Sequence, residues 1–219
     1  MFEAGMTELV IQAFGESIFM TLVSSFFAYL IGLPLGLILV ATDQDGVAPS
    51  NVCNQILGFV VNVLRSVPFL LLLVAVLPIT KMVVGTTIGA KATIVPLVIG
   101  AAPFIARLVE SSLKEVDKGV IEAAQSMGAS PFEIMTKVLL PEAKPSLLMG
   151  SAIAMTTILG YSAIAGFCGG GGLGAVAINY GYYRTQTDVM LAMVVLLVVI
   201  VQILQEIGLR IAKKCDKRM

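Results

Sequence analysis

The sequence predicts an all-α, polytopic membrane protein, with five transmembrane helices and one large hydrophilic loop between spans three and four. Three observations predict it. The first is composition. Of 219 residues, 58% are apolar and 13% charged, with mean hydropathy +0.96, whereas a soluble domain carries about 25% charge. The second is the length of the charge-free runs: 17–42, 46–64, 145–183 and 189–205 approach or exceed the ~20 residues that cross a bilayer. The third is charge asymmetry. The first seventeen residues hold three Glu and no Lys or Arg, whereas Arg210, Lys213, Lys214, Lys217 and Arg218 crowd the other end. Basic residues stay cytoplasmic, so the N-terminus is expected outside and the C-terminus inside. That requires an odd number of spans.

Span one is Ile18–Ala41. The segment before it lacks the basic region and cleavage site of a signal peptide, so span one is expected to be retained. Span two, Ile56–Thr80, carries Arg65 with Pro68 three residues on; residues 50–64 are expected as a helix near the cytoplasmic surface. Span three, Lys91–Arg107, is short, is stretched by snorkelling end charges, and is bent by Pro96, Gly100 and Pro103. Span four, Ser146–Phe167, carries Gly150, Ala152, Ala154 and Gly160, which allow close helix approach. Span five is Met190–Ile211, with Glu206 near its inner end. All 219 residues are expected to form one membrane domain.

Composition also excludes chemistry. Without histidine there is no imidazole base and no His-ligated metal. Cys53, Cys168 and Cys215 match no metal or disulfide spacing and are expected as small packing residues. Met149, Met155, Met190 and Met193 are expected to fill core space. Fourteen basic residues cancel fourteen acidic ones, so no affinity for nucleic acid is indicated. Gly169–Gly174 satisfies GxGxxG, but it follows a membrane helix rather than a strand, and no Lys-Ser/Thr follows Gly174. A flexible external turn is expected there. Asp43-Gln44-Asp45-Gly46 would need an acid at position 52, which is Val52, so a calcium loop is excluded. No catalytic residue, metal site or cofactor is expected on this chain.

The hydrophilic loop, 108–145, is expected to face the cytoplasm and to be folded. Asp117 caps a helix over Lys118–Met127, ended by Gly128. Ser130-Pro131-Phe132-Glu133 reads as a capping box that opens a second helix, stopped by Pro141. Val120, Ala124 and Met127 share one face of the first helix, and Phe132, Met135 and Leu139 one face of the second. Periodicity alone leaves two readings open: an amphipathic pair on the membrane surface, or a surface that docks a protein.

Glu122-Ala123-Ala124, then Gly128, Val138 and Leu140-Pro141, stand at the spacing EAA-x3-G-x9-I/V-x-L-P. That pattern resembles the signature of the permease subunits of ATP-binding-cassette importers. Arg65-Ser66-Val67-Pro68-Phe69, Gly100–Arg107 and Gly160-Tyr161-Ser162-Ala163 resemble the methionine-uptake branch of that family. The resemblance implies a subunit of the bacterial inner membrane with five spans and an EAA loop that docks a separate ATPase. It assigns Glu122, Ala123, Ala124, Gly128, Val138, Leu140 and Pro141 to that docking segment. Besides the lipid bilayer, it implies as partners a second copy of the chain, two ATPase subunits carrying ATP-Mg, and an external substrate-binding lipoprotein.

Arg65 is open to two readings, an interfacial contact with lipid or helix carbonyls and a residue of the inner pathway. Tyr161 and Ser162 are likewise open between packing and lining a substrate path, with Ser66 and Pro68 beside Arg65 as companions. Tyr180, Tyr182 and Tyr183 next to Arg184 suit an aromatic belt. The rival functions are import of another amino acid and ion-coupled secondary transport, for which Glu206 is the candidate carboxylate.

Overall fold

The computed structural model describes residues 5–215, and among these it contains helices, turns and no strand. Among the described residues six helices exceed fifteen residues besides shorter ones: first α1 (Met6–Ala41), α2 (Asn51–Ser66), α3 (Phe69–Val84), α4 (Ala90–Lys114), and, beyond the short α5 (Lys118–Ser126), α6 (Lys144–Ala165). The five-residue α7 (Gly172–Val176) and the long α8 (Thr187–Cys215) complete the chain. Lys217 and Arg218, part of the basic C-terminal cluster, lie outside the described residues.

Four helical segments are long and apolar enough to cross a membrane, and the pair α2 and α3 makes a fifth if taken as one broken span. The break falls inside the expected span over 56–80, at the end of the helix expected over 50–64. Pro68 has no N–H to donate and biases Val67 away from the helical region, so α2 ends at Ser66 and α3 restarts at Phe69.

Helix α1 reaches beyond the expected span over Ile18–Ala41, beginning at Met6. Glu8, Gln12 and Glu16 are good helix formers. The Gln12 amide donates to Glu16 Oε1 at 2.9 Å, and Met6 and Ala13 are buried. Helix α4 runs past Arg107 to Lys114, because Arg107, Glu110 and Lys114 pair along one face and let the helix continue with its charges satisfied.

The chain forms two compact units. The first gathers residues through Ala28, Val67–Ala101 and Met155–Gln205. Its core is built on Leu159, Leu173, Val189, Met193 and Ile200, with Met190 packed against it. Met193 therefore fills core space as expected. The glycine run belongs here, and it is a built turn rather than a loose one. Gly169, Gly171 and Gly172 hold φ of +76°, +80° and +73°. The Gly172 N–H donates to Glu16 Oε2 at 2.8 Å and the Leu173 N–H to Ser17 Oγ at 2.9 Å. Thr93 Oγ1 donates to the Gly170 carbonyl at 3.2 Å.

The second unit gathers, among the described residues, Tyr29–Ser66, Ala102–Ala154 and 206–215. Leu39, Val61 and Ala106 form a core cluster joined by Leu35 and Leu57. Here α1 and α4 nearly touch. A Cβ at Gly32 would lie 2.8 Å from the Ala102 carbonyl oxygen, and one at Gly36 would lie 2.7 Å from that of Ala106. Gly32 and Gly36 form a GxxxG pair, the spacing that brings membrane helices together. Two packing expectations fail in this unit: Cys53 is exposed on α2, and Met149 is about half exposed on α6.

Candidate functional site

The segment between α4 and α6 is where local chemistry was most readable. Asp117 caps α5, its Oδ1 accepting from the Gly119 N–H at 2.7 Å. At the other end Gly128 takes φ +80°. Its N–H donates to the Gln125 carbonyl at 2.9 Å, and the Ala129 N–H donates to the Ala124 carbonyl at 3.1 Å. This is a complete Schellman closure, and only glycine adopts that backbone without strain.

The capping box also forms. The Glu133 N–H donates to Ser130 Oγ at 3.3 Å, and the Ser130 N–H donates to Glu133 Oε2 at 3.1 Å. Lys137 Nζ donates to Glu133 Oε1 at 2.9 Å. The Lys137 hydrogen bond, aided by those from Ser130, pulls the Glu133 carboxyl down to about 2.

Beyond the box the expected second helix is not a plain α-helix, and Pro141 does not stop it. The turn Pro131–Glu133 leads into a π-helical stretch, Ile134–Leu139, and then the turn Leu140–Glu142. Pro141 sits in the first turn of that last piece, where its missing N–H has no partner to lose. The chain then passes through Ala143 into α6.

Helix α5 packs on the π-helical stretch. Ala124 (4% exposed), Ile134, Met135 and Leu139 are buried. The expected apolar faces therefore split. Ala124 turns inward, while Met127 (82% exposed) and Phe132 (76% exposed) stand out with Val120. Glu122, Ala123, Gly128 and Pro141 are also exposed, and Val138 and Leu140 are half-buried. The EAA residues thus divide into an anchoring Ala124 and a displayed Glu122-Ala123 edge. Val120 and Met127 flank Ala124 on the same helical face, and only Ala124 is covered where α5 meets the π-helical stretch.

Ion pairs fix the segment to the turn after α1. Lys118 Nζ lies 2.8 Å from Asp45 Oδ2, and Lys114 Nζ lies 2.7 Å from Asp43 Oδ2. The Lys114 hydrogen bond lowers the Asp43 carboxyl below its usual range, and Asp45 raises the Lys118 ammonium above its own. Arg107 extends this network, its Nη2 donating to the Gly58 carbonyl at 3.1 Å and to Asn62 Oδ1 at 2.7 Å. Sequence reasoning treated Arg107 only as a span end. Its i+3 acid, Glu110, was the available signal of a larger role.

The pathway candidates lie in different settings. In the second unit, Arg65 is exposed with its guanidinium 5.8 Å from the centre of the Phe104 ring, and Ser66 Oγ donates to the Asn62 carbonyl at 2.7 Å. In the first unit, Pro68 precedes Phe69, whose ring stacks on Tyr161 at 4.4 Å and 3°. Ser162 is buried and donates to the Leu159 carbonyl at 2.7 Å, so its hydroxyl is spent within its own helix. Arg184 lies over the Tyr180 ring at 4.4 Å, leaving Tyr182 and Tyr183 exposed.

This arrangement has close counterparts among known proteins. The chain is 49% identical over 212 residues to the probable D-methionine transport system permease protein MetI of Vibrio cholerae, covering 97% of this chain and 94% of that one. It is 46% identical over 158 residues to the D-methionine transport system permease protein MetI of Escherichia coli K12, covering 72% of this chain and 73% of that one. A chain of the MetNI methionine ABC transporter in an inward-facing conformation superposes with a TM-score of 0.97 at 43% identity, covering 99% of this chain and 100% of that one. An amino acid ABC transporter solved with histidines shares the fold, with a TM-score of 0.78 at 19% identity. Residues 32–218 match the family described as binding-protein-dependent transport system inner membrane component. With that match spanning most of the sequence, the chain belongs to this family of multi-pass inner-membrane transport components.

Proposed function

We propose that the chain is the translocating subunit of an ATP-driven methionine importer. It works as a pair with a second copy, with two cytoplasmic ATPase subunits that bind ATP-Mg, and with an external lipoprotein that captures substrate. The N-terminus is external and the C-terminus cytoplasmic. The observation that carries the reading is the display of Glu122, Ala123, Met127 and Phe132 on a capped segment braced from within. Exposed apolar side chains beside a charge on an otherwise hydrophilic element mark a partner surface. The substrate comes from the relatives, which are named for D-methionine or methionine transport.

The mechanism is alternating access. ATP closes the ATPase pair and moves α5. Lys118–Asp45 and Lys114–Asp43 pass that displacement to the turn after α1, and the two permease copies rearrange. This chain makes and breaks no covalent bond; it offers two conformations whose populations the partners shift. Ion-coupled transport is disfavoured because Glu206 accepts from Arg210 Nε at 2.7 Å and lies in the exposed last turns of α8.

Affinity purification from membranes tests the docking surface. The parent chain is expected to bring down an ATPase subunit, and Glu122→Lys is expected to lose it while still inserting. Equal recovery of the ATPase with Glu122→Lys would remove Glu122 from the interface.

A further inference from the structure

The second unit contains a cleft of about 480 Å³ beside the docking segment, which contributes Glu142 and Ala143 to its wall. Three helices face it. From α4 and the turn just past its end the lining positions are Leu108, Ser111, Ser112 and Glu115, and on α6 they are Ser146, Met149, Gly150 and Ile153. Both sets fall at i, i+3, i+4 and i+7, the spacing of a single helix face. Leu209 and Lys213 supply the wall from α8, and Glu142 closes the end next to α6.

Polarity along the cleft is graded. Glu115, Glu142 and Lys213 lie at the end beside the hydrophilic segment, and all three are exposed. Leu108, Ile153 and Leu209 lie one to two turns further into the apolar parts of their helices. Between the two zones Ser146 Oγ donates to Ser112 Oγ at 3.0 Å. Charges of both signs at the mouth, hydroxyls below and an apolar slot beneath describe the complement of an amphiphile with a zwitterionic head.

We propose that this cleft binds one phosphatidylethanolamine molecule from the adjoining leaflet. Its primary ammonium donates to Glu115, its phosphate accepts from Lys213, and an acyl chain enters the slot lined by Met149 and Ile153. An anionic glycerol headgroup would bring no ammonium to the Glu115 carboxylate. A choline headgroup has no N–H to donate to that carboxylate. A free polar zwitterion would leave the apolar slot without a filling group. The proposal depends on the chain lying in a membrane and not on what it transports.

Native mass spectrometry of the full chain, purified in mild detergent, tests it. Phosphatidylethanolamine, phosphatidylcholine and phosphatidylglycerol with matched acyl chains are offered in equal amounts. Phosphatidylethanolamine is expected to be retained about tenfold over either competitor, as one charge-assisted hydrogen-bond set would give. The double variant Glu115→Gln, Lys213→Gln is expected to erase the preference. Gly150→Leu is expected to abolish retention by filling the slot. A Cβ there meets only Leu108 Cβ at 3.7 Å and Ser112 Oγ at 3.9 Å, which the backbone tolerates. Should that variant not accumulate, Met149→Trp on the exposed wall serves instead. Equal retention of the three lipids by the parent chain overturns the proposal. So does displacement by water-soluble phosphoethanolamine, which would assign the cleft to a free zwitterion.

Discussion

At Gly128 a single dihedral angle decides the shape of the proposed docking edge. Its φ of +80° is open to glycine and costs a β-branched residue dearly. Gly128→Val is therefore expected to unwind the end of α5 and reduce ATP-coupled transport about tenfold or more, with membrane insertion unchanged, as measured by vesicle uptake against protein level. Asp117→Ala removes the side chain that caps α5 and is expected to weaken the helix by about 1 kcal/mol, seen as faster amide exchange over 118–121. Glu133 adds a pH signature. Its carboxyl titrates lower when folded, about 2, than the usual 4.5. Its contribution is thus fully present above pH 4.5 and is lost as pH falls toward 2. Exchange protection at Ser130 and Glu133 is expected to hold from pH 7 to 5 and to fade below that. These residues were legible beforehand because a cap, a capping box and a left-handed glycine act within four residues. Ala124 was not: its inward turn depends on the packing of α5 against Ile134–Leu139, which no local pattern encodes.

Among the helices, sequence legibility followed how far the deciding interaction reaches. The break after α2 was half readable, since Pro68 announces itself but a hydropathy window runs across it. Helix α1 begins ahead of span one, because Glu16, which reads as a charge at a span's edge, does not end the helix. Glu16 is satisfied by the Gly172 N–H, 156 residues away. Glu16→Ala is expected to loosen the glycine turn, raising exchange at Gly172 and Leu173, whereas Glu16→Gln retains an acceptor and is expected to preserve most of the protection. The π-helical stretch left no mark in the sequence, and Pro141 misled because it ends helices more often than it opens a turn. The α1–α4 approach was signalled by Gly32-x3-Gly36. Gly36→Leu is expected to force the two backbones apart, since even its Cβ would sit 2.7 Å from the Ala106 carbonyl oxygen. A loss of about 1–3 kcal/mol follows, measurable as a lower unfolding midpoint in detergent.

For the whole molecule, the all-helical membrane architecture followed from composition and charge placement, because a bilayer imposes long apolar helices on any chain that crosses it this way. The division into two units did not. Each unit draws on three separate stretches of sequence, and such long-range packing leaves no periodic trace. On the proposed reading the EAA segment gives that architecture a handle on a motor, with methionine, for which the relatives are named, as the cargo. The most direct test is uptake of labelled methionine into proteoliposomes that contain this chain with its co-purified ATPase and external binding protein. Accumulation that requires internal-face ATP, and that disappears when the ATPase is left out, is the expected result. Methionine accumulation that persists without the ATPase and follows an imposed ion gradient would contradict it.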